Sequence, residues 1–203
     1  MLGAAIALWA LRGLPIDARV VELRELLGDG EDRQMLGDVA IVEGYQAFAA
    51  GDLVTALTSW RRASTLAAGG VPLCLPRVAR TALWAGDRPA ARIALATLDA
   101  SGFHGPAIEA DRETIRAGLA ALDGNPTEAM VHYRDAARSW RVLGLAWDEA
   151  LCGLDMALLL DPADPEVQAR AQVAREILVR LEAAPFVATL DTAMGRTSDQ
   201  PMI

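Results

Sequence analysis

Three steps of glycine followed by Asp or Asn constrain this chain more than any other feature. Gly51-Asp52, Gly86-Asp87 and Gly124-Asn125 stand 35 and 38 residues apart, and the same residue types follow each of them. Five residues after each glycine comes Ala56, Ala91 or Ala129, and nine after comes Trp60, Leu95 or Tyr133. Twelve after comes Ala63, Leu98 or Ala136. A period of this length is the mark of a stacked array of supersecondary units. The local chemistry says which unit. Glycine suits the left-handed position that ends a helix, and an adjacent Asp or Asn caps the N–H groups of the next one. Pro89 and Pro126 fall in the first turn of that next helix, where a missing N–H does no harm. The alanines let the second helix approach the first closely, and the bulky residue between them fills the space behind. Each unit is therefore expected to be a helical hairpin that must stack on its neighbours to bury its apolar face.

The flanks follow the scheme more loosely. Residues 3–12 and 15–28 suit a first pair around "RGLPIDA", with Gly13 standing 38 residues before Gly51. After the third unit, "LAWDEALCGLDMALLL" reads as an amphipathic helix that stops at "DPADP", where Asp164 and Pro165 are again a cap and a first helical residue. Val167, Ala171, Ala174, Leu178 and Leu181 form the apolar stripe of the helix that follows. "PFVATLDTAM" is expected to close the core, and "GRTSDQPMI" reads as a disordered tail.

Composition agrees and excludes several classes of function. The sequence is rich in Ala, Leu and Arg and poor in β-branched and aromatic residues, which favours helix. A formal charge of −8 argues against general nucleic-acid or anionic-membrane binding. All 19 basic residues are arginine, so neither a Schiff-base lysine nor a P-loop lysine exists in this sequence. Cys74 and Cys152 lack metal-ligand spacing and read as buried small hydrophobes in a reducing, cytoplasmic setting. The apolar opening "MLGAAIALWAL" stops at Arg12, short of the ~20 residues a membrane span needs. It also lacks the basic start and cleavage site of a secretory signal, so a first buried helix is expected.

The spacing resembles the tetratricopeptide repeat (TPR). Gly44, Gly51, Asp52, Ala56 and Ala63 match the small-residue positions of that family, and Gly124, Ala129, Tyr133 and Ala136 repeat part of the pattern. Ala117 stands where the first helix of that unit would often carry glycine. The "WAGD" unit diverges most, with Pro76 expected to shorten its first helix and Leu98 at an alanine position. The likeness covers roughly residues 38–160. It implies an all-α, right-handed α-α superhelix of four to five antiparallel helical pairs, a TPR-like domain over residues 1–194 with a tail over 195–203. The ending "AREILVRLEAAPFVATLD" also looks like the last helices of repeat arrays at the C-terminus of large bacterial signalling proteins, behind an ATP-binding domain and with a cyclase or LuxR-type DNA-binding domain elsewhere. The first helix begins without a polar cap, as if earlier repeats preceded it, and end-to-end stacking there would make a homodimer.

No catalytic constellation can be assembled. His104 lies in the loop "SGFHG" with Ser101 and reads as a surface histidine more readily than as the base of a nucleophile pair. His132 reads as a solvated helix position, and Asp161 and Asp164 as turn and cap residues. No zincin, nucleophile-elbow, dinucleotide or P-loop pattern occurs, so no metal or organic cofactor is expected. The family likeness instead implies a concave groove lined by the first helix of each pair. The matching positions are Asp38, Ile41, Tyr45 and Phe48, then Arg80, Leu83 and Trp84, then Asp111, Thr114 and Leu122. Tyr45, Phe48 and Trp84 are residue types that anchor partners. For Phe48 and Leu83 packing between units is the preferred reading, while for Tyr45 and Trp84 packing and binding both stay open. The lysine–asparagine clamp with which chaperone-binding relatives hold a terminal carboxylate is missing, because the chain has no lysine and Asn125 alone as asparagine. The expectation is a non-catalytic module that binds a protein or peptide partner in its groove, within a bacterial signalling or transcription regulator. The rival is a small-ligand sensor with an aromatic pocket, and a third reading is a hydrolase using the His104 loop.

Overall fold

A computed structural model describes residues 2–27, 32–66 and 70–195. These residues form eleven helices and no strand: α1 (Leu2–Leu11), α2 (Asp17–Leu27), α3 (Arg33–Ala49), α4 (Leu53–Leu66), α5 (Gly70–Trp84), α6 (Arg88–Ala100), α7 (Pro106–Leu122), α8 (Pro126–Leu143), α9 (Ala146–Leu159), α10 (Pro165–Arg180) and α11 (Ala184–Ala193). The residues expected to form the tail lie outside the described ones, apart from Gly195.

The glycine steps do what their chemistry suggests. Gly51, Gly86 and Gly124 have φ of +76°, +72° and +80°. Each turn closes with the same pair of backbone bonds, such as Asp52 N–H to Ala47 O at 2.9 Å and Gly51 N–H to Phe48 O at 3.2 Å. The Asp52 and Asp87 carboxylates each accept a helix-opening N–H at 3.0 Å, from Thr55 and Ala90. Asn125 holds the equivalent place, but its side chain makes no capping bond. Three-residue connections thus fold α3 back on α4, α5 on α6 and α7 on α8. Helices adjacent in the chain pack together from α2 to α11, and α5 and α7 pack directly on each other, as do α7 and α9. Ala56, Ala63, Ala91, Ala129, Ala136 and Trp60 are all essentially excluded from solvent. A Cβ on Gly44 would stand 2.7 Å from the Trp60 ring, so glycine is what lets α3 and α4 touch there.

Two features differ from expectation. Pro76 does not shorten its helix: α5 runs through it from Gly70 to Trp84, without an N–H for the Pro72 carbonyl at that turn. The second is a contact between distant parts of the chain. Arg12 Nε donates to Leu181 O at 3.3 Å, Gly13 lies against Pro185, and α1 packs on α11. In α11 Phe186 and Leu190 are buried, and Phe186 meets the rings of Phe48 and Trp147 at 5.5 and 5.0 Å. The piece expected to close the core does so.

Candidate functional site: an aromatic cavity with unpaired carboxylates

The inward sides of α3, α5, α7 and α9, backed by α4 and α8, surround a cavity of about 300 Å³. Tyr45 and Phe48 come from α3, Trp60 from α4 and Trp140 from α8, while α9 contributes Trp147, Asp148 and Leu151. Helix α5 supplies Pro72, Pro76, Arg77, Arg80 and Thr81, and α7 supplies Ala107, Ile108 and Asp111. Exposed Leu73 and Leu145 mark the rim. The rings hold one another: Tyr45 meets Trp60 edge-on at 4.8 Å, and Phe48 stacks on Trp84 at 4.6 Å.

The charges in this wall are unequally matched. Arg80 is buried and bonds Asp155 through Nε, at 3.0 and 3.2 Å from the two carboxylate oxygens. Trp84 Nε1 donates to the same carboxylate at 2.6 Å. Burial opposes the Arg80 charge, yet Asp155, Asp148 and Asp111 together raise its pKa, so it stays a cation. Burial pushes Asp155 up, while Arg80 and the Trp84 N–H pull it back. Arg77 is also engaged: it donates to Tyr45 Oη at 2.9 Å and to the Leu73 carbonyl, and its guanidinium lies over the Tyr45 and Trp60 rings at 5.3 and 5.9 Å. Asp111 and Asp148 have no such partner. Neither carboxylate accepts a hydrogen bond or forms an ion pair among the described residues. Burial pushes Asp111 up to about 7, against the pull of Arg80 and with Asp148 adding to the rise. Two further polar atoms in residues of the lining, Trp60 Nε1 and Thr81 Oγ1, are buried without a partner.

Of the ten positions expected to face a groove, the structure brings Tyr45, Phe48, Arg80 and Asp111 to this cavity. The other six lie elsewhere. Trp84 is tied to Asp155 and Phe48, and Leu83 is buried against Gly118. Thr114 donates to Ala110 O and accepts from Trp140 Nε1. Asp38 accepts from Gln34, Ile41 packs on the core, and half-buried Leu122 packs beside it. Trp60, Arg77, Trp140, Trp147 and Asp148 were not among the expected groove residues. Trp60 and Trp140 come from outer helices, and the other three sit on faces whose direction depends on how the helices stack.

Other candidates carry less. A hollow of about 330 Å³ beside α8 has its Arg134 and Glu166 already bonded at 2.8 Å, and its Asp164 is a helix cap. His104 is exposed, with Nδ1 3.0 Å from Gly102 O, and Ser101 Oγ donates to Leu98 O rather than to it. His132 is half-buried and bonded to Glu113 at 2.6 Å, not freely solvated. Cys74 and Cys152 are buried free thiols, and burial pushes Cys74 up to about 11. Among the described residues no group of His, Cys, Asp or Glu could hold a metal ion, and no helix is long and apolar enough to cross a membrane. In comparison with known proteins, no family model matches the chain, and no curated protein or solved structure matches it.

Proposed function

We propose that this chain is a non-catalytic, TPR-like binding module, a right-handed superhelix of helical pairs whose ligand is a small molecule held in the cavity between α3, α5, α7 and α9. The observation that carries the reading is the cavity wall: five aromatic rings and two unpartnered carboxylates around about 300 Å³, the lower end of ordinary ligand-pocket size. An apolar lining with a few placed polar groups is how small-ligand sites combine affinity with orientation. A sensory role in a bacterial signalling or transcription regulator fits such a module, and the two unpaired thiols suit a cytoplasmic one. A protein or peptide partner is the second reading, favoured by the exposed apolar Leu73 and Leu145 at the rim. Homodimerisation through α1 would use its exposed Leu8 and Trp9.

A small-molecule fragment screen by thermal shift tests the main reading, run beside Ala107→Phe, which puts a ring into the cavity from α7. Fragments that raise the wild-type melting temperature and leave a folded Ala107→Phe protein unchanged support it. Fragments that protect both proteins equally, or none that protect the wild type, count against it.

A further inference from the structure

We propose that the cavity takes an organic cation, an ammonium group on a small apolar body, with its charge placed between Asp111 and Asp148 and its apolar part against the aromatic rings. This inference rests on the cavity being a ligand site, and it names the class of ligand. The wall contains two arginines, and both are engaged. Arg80 is bonded to Asp155 through Nε, while Arg77 is bonded to Tyr45 Oη and the Leu73 carbonyl and lies over two rings. Arg77 and Arg80 of the wall stand against Asp111, Asp148 and, behind Arg80, Asp155, so ionised Asp111 leaves one carboxylate in excess, and a bound cation favours that ionised form. An anion would approach two carboxylates and meet guanidinium charge already drawn on by Asp155, Asp148 and Asp111 at Arg80 and by Tyr45 and Trp60 at Arg77. A neutral ligand without hydrogen-bond donors would leave both carboxylates half-buried and unsatisfied, which is costly in an apolar wall.

The rings point to the same class. Aromatic faces attract cations through their quadrupole, and more strongly when water is excluded. Arg77 already uses the faces of Tyr45 and Trp60 in this way. Trp147 is half-buried beside Asp148, and it meets the Phe186 ring edge-on. The chain's net charge of −8 adds a long-range field that draws cations toward it.

Three probes of nearly one shape separate charge from fit: choline, 3,3-dimethyl-1-butanol and 3,3-dimethylbutanoate carry positive, zero and negative charge on the same branched body. Titrations would follow the Trp147 indole and Thr81 amide resonances of the intact chain. The expected result is choline binding at least about tenfold tighter than the alcohol, with the carboxylate weakest. Asp111→Asn and Asp148→Asn should each remove most of that preference, read as the ratio of choline to alcohol affinity within each variant. Alcohol and choline binding within about threefold of each other on the wild type would overturn the cation assignment and leave the cavity standing as a ligand site. That comparison needs no variant, so it holds even if a substitution disturbs folding. Failure of all three probes, together with a fragment screen that finds no cavity ligand, would remove both readings. A lysine side chain is another source of an ammonium group, primary where that of choline is quaternary. A capped lysine peptide competing as well as choline would assign the site to a basic peptide, and no competition would assign it to a free small cation.

Discussion

Replacing Arg80 by Met should destabilise the protein more than replacing Asp155 by Asn, although the two residues share one bond. Both side chains are buried, and the ion pair measures 3.0 Å. Breaking such a pair from one side leaves an uncompensated charge and costs roughly 3–5 kcal/mol. The surroundings make the two sides unequal. Without Arg80, Asp155 keeps the Trp84 N–H but faces Asp148 with no adjacent cation. Without the Asp155 charge, Arg80 still has Asp148 and Asp111 nearby, and the Asn carbonyl can accept from both Arg80 and Trp84. Arg80→Met should therefore fall in the full range, and Asp155→Asn nearer about 1–3 kcal/mol, the worth of hydrogen bonds to a charged group. The double replacement Arg80→Met/Asp155→Leu should cost much less than the sum of its single replacements, since neither charge is then stranded. Urea denaturation followed by far-ultraviolet circular dichroism at neutral pH measures all of these. An Arg80→Met cost below about 1 kcal/mol, an Asp155→Asn cost exceeding it, or an additive cycle would refute the reasoning.

Asp111 gives a prediction of opposite sign. Its folded value of about 7 lies above the ordinary 3.8, so the folded chain holds that proton more tightly than the unfolded one. Stability tied to this group is greatest below 3.8 and falls as pH rises toward 7, with Arg80, Arg77, Asp148 and Arg112 the charges acting on it. Asp111→Asn should then stabilise the unliganded protein by roughly 1–3 kcal/mol at about pH 8 and by little at about pH 4. A variant whose advantage does not grow with pH would contradict that. Glu182 sits in the left-handed region at φ +58°, in a turn closed like the glycine turns by Ala183 N–H to Leu178 O. Glu182→Gly should relieve about 1 kcal/mol of strain and raise the melting temperature by about 2–4 °C, the exposed ion pair to Arg12 being of little weight. An unchanged or lower melting temperature would show that the turn carries no such strain.

The hairpins were legible because their instructions are local. Gly51 and Asp52 end one helix and begin the next through bonds spanning three to five residues, and the same holds at Gly86 and Asp87. Where a residue defies its own propensity the local reading fails: Glu182 takes a glycine conformation, and Pro76 stays inside a helix. The cavity was half legible for a different reason. Tyr45, Phe48, Arg80 and Asp111 were assigned to a groove by what the likeness to the tetratricopeptide repeat implies, and they do line the cavity. The bond from Arg80 to a residue 75 positions away could not be assigned in that way. It depends on how far each pair is rotated against the next, and that angle is set by many side-chain contacts rather than by any short motif. Trp84 shows the consequence, since an aromatic at a plausible groove position is held by Asp155 instead.

The meeting of α1 with α11 bears on the order in which this chain can fold. Nearly every other helix contact joins helices one or two places apart in the chain, and such pairs can form early, at a small entropic cost for closing the loops between them. The bond from Arg12 to Leu181 spans 169 residues and is rewarded only after the intervening helices have assembled. Docking of α11 therefore belongs late in folding. The same event seats Phe186 on Phe48 and Trp147, two rings of the cavity wall. The proposed ligand site is thus completed after most of the helical content, and a kinetic experiment that watches both should see circular dichroism recover before the Trp147 environment does.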